Sequence, residues 1–254
     1  MEGGCTCRRW PLNLLLDESM QMRYNELFPL LFTVKRVQVS SPSHTPAHTP
    51  SRPSQRSGWQ MALHAAWRPL CNLQRSLSRR QYQHAGVGVG GDGGPAGGEQ
   101  EQLGAVLLLR RHMAFVVDNL HYYLQVDVID AAFSKLRAAV LEDSADFESV
   151  VAAHAEFLTV VSAQCFLHQR VITQAIHMLL ESALAFCAAA QTTLASSASF
   201  FIPEVSRTAT AFESQVQFLF KVLHGAKVQQ SAPHLARLLL RLDYSSYYSS
   251  RIPS

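Results

Sequence analysis

Charge is what this chain has least of: Asp, Glu, Lys and Arg make up only 16% of its 254 residues, against 48% hydrophobic. That balance excludes wholesale disorder, which needs high charge and few apolar side chains. The formal net charge of +3 is too small to mark a nucleic-acid binder, whose Lys and Arg would crowd one face. No Asn-x-Ser/Thr sequon occurs, and the five cysteines, Cys5, Cys7, Cys71, Cys165 and Cys187, are odd in number and form no paired C-x-x-C units. Reduced thiols in a cytosolic protein fit this usage better than a disulfide framework. The start of the chain lacks the apolar stretch of a signal peptide, and no uninterrupted apolar run is long enough to span a bilayer. The expectation is a soluble cytosolic protein with no nucleic-acid partner and no membrane insertion.

Catalytic signatures are equally scarce. There is no Walker loop, no G-x-S-x-G and no Cys-His pattern. Gly88-Val89-Gly90-Gly91-Asp92-Gly93 fits G-x-G-x-x-G, but a glycine tract surrounds it where a dinucleotide site needs a strand and a helix start, so it reads as linker. His44 and His48 stand four apart inside a Thr-Pro repeat with no further ligand nearby, which argues against zinc. His154 falls on an apolar helical stripe and reads as a buried, hydrogen-bonded core histidine. Arg68, Arg75, Arg79 and Arg80 beside Trp67 and Tyr82 read as a solvated linker rather than an RNA or lipid site. Ser41-Pro42, Thr45-Pro46 and Thr49-Pro50 are short proline-directed motifs of a kind common in such segments. The chain is therefore read as non-enzymatic, with no cofactor and no metal.

What is present is helical periodicity. A first helix runs from about Glu18, with Asp17 as N-cap and Met20, Tyr24, Leu27, Leu31 and Val34 as its stripe; Pro29 predicts a kink or break. A short strand or extended lead-in near Trp10 precedes it. Residues 40–58 are rich in Pro and Ser, and 86–98 in Gly, so 40–102 reads as a long disordered insertion holding one weak helical piece at 59–83. Further helices are predicted beyond it. The first, 103–126, is followed by 129–141 with Phe133, Leu136 and Val140 inward. The third starts at the N-cap Asp146, with Glu148 in its first turn, on the stripe Phe147, Val150, His154, Phe157, Val161 and Cys165. The fourth, 171–190, carries Ile172, Ala175, Leu179, Ala183 and Phe186. The last two are 204–225, closed by Gly225 as C-cap, and a helix opened by Pro233 with Leu235, Leu238, Leu239 and Leu242 inward. Short connections between long helices predict an all-α fold of antiparallel bundles. The division is 1–39 as lead-in and first helix, 40–102 as insertion, 103–248 as helical domain and 249–254 as tail.

The helix at 103–126 has apolar residues on two sides. Leu109, Met113, Val116, Leu120 and Tyr123 form one stripe and Leu108, Phe115, Tyr122 and Val126 another. Such a helix is either sandwiched between neighbours or packed on one side and offered to a partner on the other, and the pattern leaves both open.

This segment also carries a family resemblance. Arg111-His112-Met113-Ala114-Phe115, Asn119-Leu120-His121-Tyr122-Tyr123 and Asp127-Val128 resemble the C-terminal half of gamma-tubulin complex components. So do, in order, Trp10-Pro11-Leu12, Tyr24-Asn25 with Phe28, Asp146-Phe147-Glu148-Ser149, Ala153-His154 with Phe157-Leu158, and Leu238-Leu239-Leu240-Arg241-Leu242-Asp243-Tyr244 with Tyr247-Tyr248. Residues 40–102 fall outside these motifs. The resemblance implies docking to gamma-tubulin, with Phe115, Asn119, Tyr122 and Tyr123 as the expected contact residues and the terminal tyrosines as second choice. It further implies association with other complex components, and a place in the cytoplasm and cytoskeleton at microtubule-organising centres. The N-terminal half through which family members contact one another laterally has no counterpart here. The expectation is therefore a fragment, isoform or truncated version that keeps gamma-tubulin binding, with ring assembly in question. A helical tethering or adaptor protein at membranes is the alternative from another class.

Overall fold

The computed structural model describes residues 16–37, 95–142, 146–193, 201–230, 233–244 and 246–251, together with Arg75 and Arg79. Among these residues there is no strand, and the all-α expectation holds. The helices are α1 (Glu18–Val37), α2 (Pro95–Tyr122), a π-helical segment (Tyr123–Asp130), α3 (Ala131–Val140), α4 (Phe147–Gln164), α5 (Arg170–Thr193), α6 (Phe201–Gln230) and α7 (Pro233–Leu242), followed by a 3-10 turn at Ser249–Arg251. The lead-in near Trp10, the Pro/Ser-rich 40–58, the weak helical piece apart from two of its arginines, and the connection at 194–200 lie outside the described residues.

α1 begins where its cap predicts: the Asp17 carboxylate accepts from the Met20 N–H at 2.7 Å and the Ser19 hydroxyl at 2.8 Å. Pro29 does not break it. The helix runs on to Val37, and the Thr33 hydroxyl donates to the Pro29 carbonyl. Met20, Leu27, Leu30, Val34 and Val37 are its buried positions, with Leu31 half-buried beside them. They pack on α2, α4 and α5.

α2 starts at Pro95 rather than near Leu103, proline being well suited to a first helical position. Its other end does not stop at Val126. The chain passes through the π-helical segment into α3 without the expected break, and in that wider spiral Gln125 donates to the Asp130 carboxylate five residues on, at 3.0 Å.

α3 and α4 pack as a pair, and here side-chain size misled the sequence reading. Phe133, Val140 and Phe147, expected inward, are exposed. Leu136, also expected inward, does line the seam, with Ala132 and Ala139 on its own helix and Ala153, Phe157 and Val160 on the other. Phe133, though half in water, still sets its ring edge-on to Phe157 of α4, with the centroids 6.4 Å apart. α4 itself opens on the predicted cap, with the Ser149 N–H donating to the Asp146 carboxylate at 2.8 Å. Its buried line is His154, Leu158, Val161 and Ser162, ending at Cys165.

α5 and α6 form the most extensive helix pair, with Ile172, Ala175, Leu179, Ala183 and Phe186 buried as predicted against Phe212, Val216, Leu219 and Leu223. Gly225 is no C-cap: α6 continues through it to Gln230. On α7, Leu235, Leu238, Leu239 and Leu242 are all buried as predicted. Each such leucine contributes roughly 1.5–3 kcal/mol by leaving water.

Candidate functional site

The two stripes of α2 meet opposite fates. Leu109, Met113, Val116, Leu120 and Tyr123 are in the core, whereas Leu108, Phe115, Tyr122 and Val126 are 67%, 43%, 45% and 38% exposed. The helix is packed on one side and open on the other. Phe115, Asn119 and Tyr122 stand at i, i+4 and i+7, which places them one above another on the open side. Asn119 is held along the helix by donating to the Phe115 carbonyl at 2.7 Å.

Tyr122 has a neighbour that sequence reasoning did not assign. The Arg241 guanidinium on α7 lies over its ring, 4.2 Å from the centroid, within cation–π range. Arg241 is fixed in turn by the Asp127 carboxylate, with Nε donating to Oδ2 at 2.9 Å and Nη2 to Oδ1 at 3.2 Å. The carboxylate is largely buried, and this two-point hydrogen bond holds the guanidinium pKa above its usual value. Both residues belong to motifs quoted above, Asp127-Val128 and Arg241-Leu242-Asp243. Nothing in linear spacing says that positions 114 apart will meet.

Tyr123 lies beneath this face rather than on it. It is fully buried, its hydroxyl donates to the Gln164 carbonyl at 2.9 Å, and its ring stacks on Phe166 at 5.8 Å. Burial pushes its phenol well above the ordinary tyrosine range. Of the four expected contact residues, the structure thus brings three to the surface and puts Tyr123 in the core.

The terminal tyrosines divide. Tyr244 and Tyr247 are exposed, while Tyr248 is buried, hydrogen-bonded to His112 on α2 and stacked on its ring. The Asp243 carboxylate folds this tail back by accepting from the Tyr248 N–H at 2.7 Å and the Ser249 N–H at 3.0 Å. His112 also faces Glu213 of α6 at 3.6 Å. Burial lowers the His112 pKa, and the Glu213 carboxylate opposes part of that shift.

His154 is buried as expected, with its Nε2 2.9 Å from the Tyr24 hydroxyl. Cys165 and Cys187 are buried thiols pushed up to about 12 by desolvation, which leaves neither as a nucleophile. Among the described residues no three His, Cys, Asp or Glu side chains cluster as metal ligands. The G-x-G-x-x-G run, His44, His48, Arg68 and Arg80 lie outside the described residues, while Arg75 and Arg79 are helical and exposed. Arg170–Ala189 of α5 is long and apolar enough to cross a membrane by composition alone. Its stripe nevertheless packs on α6 and α1, which is how a core helix is used.

Comparison with known proteins agrees with the motifs. The family described as gamma tubulin complex component C-terminal matches residues 8–248. Gamma-tubulin complex component 4 of Mus musculus is 30% identical over 242 residues, covering 95% of this chain and 30% of that protein. Component 4 of Arabidopsis thaliana is 25% identical over 243 residues, covering 95% and 28%. Component 5 of Macaca fascicularis is 24% identical over 235 residues, covering 92% and 29%. The chain spans about 30% of the length of the curated relatives it matches. With a family match over nearly all of its residues, this chain belongs to the gamma-tubulin complex component family, in the C-terminal part of which its helices lie.

Proposed function

We propose that this chain is a non-enzymatic binding module that docks gamma-tubulin through the open face of α2. Phe115 and Tyr122 would be its apolar anchors and Asn119 a polar contact between them. One observation carries the reading: on a helix with two apolar stripes, the stripe holding Phe115 and Tyr122 is left in water. Exposing aromatics costs solvation free energy, and aromatic rings with one wet edge are favoured at protein–protein interfaces. Membership of a family named for gamma-tubulin complexes supports gamma-tubulin as the partner in this reading.

In this reading the chain works with other complex components in the cytoplasm and cytoskeleton, at microtubule-organising centres. Holding gamma-tubulin in a fixed orientation removes part of the translational and rotational entropy cost of starting a microtubule. Nucleotide chemistry belongs to the tubulins. The chain itself contributes shape and position, and it requires neither cofactor nor metal.

The test is binding of purified gamma-tubulin to the chain and to a Phe115→Ala, Tyr122→Ala double variant, with circular dichroism on both. The expected outcome is a folded variant with binding weakened at least roughly tenfold, because a few buried aromatics dominate interface energies. A folded variant with unchanged binding would refute the assignment of the face.

A further inference from the structure

We infer that Asp127 and Arg241 form a clamp that positions Tyr122 for the partner, so that Arg241 is a positioning residue acting through the tyrosine ring. The inference rests on the docking face proposed above and deepens it.

A tyrosine on an open helix face ordinarily samples several rotamers, and fixing one of them on binding costs conformational entropy. Here the ring is covered on one side in advance by a guanidinium 4.2 Å from its centroid. That guanidinium cannot wander, because two of its donors are on the Asp127 carboxylate, at 2.9 and 3.2 Å. Asp127 is itself nearly out of water, with a side-chain exposure of 12%, and is carried by the π-helical segment that starts one residue after Tyr122. Insertions of this kind inside helices recur at functional positions. Arg241 comes from far along the chain, on a helix that Leu235, Leu238, Leu239 and Leu242 anchor in the core. Three elements thus converge on one exposed ring. The planar fork of arginine both grips a carboxylate at two points and stacks on an aromatic face, which a lysine ammonium cannot do together.

The pair has a structural use as well, since it joins α7 to the π-helical segment. The test must therefore separate positioning from stability. Affinity for purified gamma-tubulin and melting temperature are measured for the chain and for Tyr122→Ala, Arg241→Lys, Arg241→Gln and the Tyr122→Ala, Arg241→Gln double variant. The expected result is that Tyr122→Ala and Arg241→Gln each weaken binding roughly tenfold and that the double variant binds no worse than Tyr122→Ala. Arg241→Lys, which keeps a cation beside Asp127, should melt like the parent chain yet bind as weakly as Arg241→Gln.

Multiplying effects in the double variant would overturn the inference by showing that Arg241 acts independently of Tyr122. Parent-like binding by Arg241→Gln, or losses of binding that merely follow losses of melting temperature, would overturn it too. If Tyr122→Ala binds like the parent chain, the docking face itself is wrong and the clamp falls with it. That outcome is distinct from a sensitive Tyr122 beside an indifferent Arg241.

Discussion

At the scale of single residues, Tyr122 and Tyr123 show how much one step along a helix decides. Adjacent positions lie about 100° apart, so one ring faces water while the other is fully buried against Phe166. The sequence showed two apolar stripes and a pair of tyrosines. It could not say which tyrosine would find a core partner, because Phe166 and Gln164 are supplied from 41 or more residues away. Tyr123→Phe should cost about 1–3 kcal/mol by leaving the Gln164 carbonyl without its donor, and should leave gamma-tubulin binding unchanged. Chemical denaturation and a binding assay check the two halves of that statement. The histidines allow a second prediction. Burial, first among the causes in each case, lowers the pKa of His112, His121 and His234 below 6.5. Between the folded and unfolded values the unfolded chain binds more protons, so stability rises with pH there. The neutral imidazoles are therefore compatible with the fold above about pH 6.5, and stability is lost as pH falls below it. Melting temperature should decline between about pH 7 and pH 5, and His112→Gln should flatten the decline. A profile that is level through this range would contradict the sign.

Among the elements, helices with one strong stripe were the most legible, and those with small or ambiguous residues the least. The buried positions of α7 follow its periodicity residue for residue, and all five expected on α5 are buried, although Ile176, Leu180 and Cys187 widen that stripe. On α3, by contrast, weighting by hydrophobic size chose Leu136 correctly but also Phe133 and Val140, whereas Ala132 and Ala139 join Leu136 at the seam with α4. Alanine carries little hydrophobic signal in a sequence window, although it is what permits close helix approach. The π-helical segment was illegible for a related reason: the Asp127–Arg241 pair it carries joins positions 114 apart, which no local window brings together. Gly225 is the clearest case of a local rule overridden. A glycine after a periodic run is the ordinary sign of a helix end, yet α6 runs through it without a left-handed backbone angle, and a Cβ built there meets nothing within 4 Å. The consequence differs in sign from that of a true cap. Gly225→Ala should stabilise the protein by about 0.4–1 kcal/mol, by reducing the freedom of the unfolded chain and improving helix propensity. Chemical denaturation reads the change, and a loss of stability would restore the cap.

For the whole molecule the decisive contacts are remote in sequence, and α1 depends on them most. It is the first described helix, and its Leu30, Val34 and Val37 are almost completely buried within the core shared by the later helices. Its polar side is tied down as well: Arg23 donates to the Thr159 hydroxyl at 2.8 Å and the Tyr24 hydroxyl meets His154 at 2.9 Å, in both cases on α4. The two stripes of α2 were legible in the sequence, but the place of α1 between α2, α4 and α5 was not, since a long intervening stretch gives no clue to where the chain returns. One face of α1 thus completes the core although the helix comes early in the chain. Removing it would uncover the apolar faces of three helices at once, and each lost large-residue contact in such a core costs about 2–5 kcal/mol, against a total stability of about 5–15 kcal/mol for a typical domain. A chain beginning at Pro95 should therefore lack a cooperative thermal transition and a defined near-ultraviolet circular dichroism spectrum. Adding the 16–37 segment as a separate peptide should restore part of both, because its buried stripe supplies the apolar surface that α2, α4 and α5 pack against. Cooperative melting of the shortened chain on its own, at the temperature of the parent, would show that α1 is an accessory to a core complete without it.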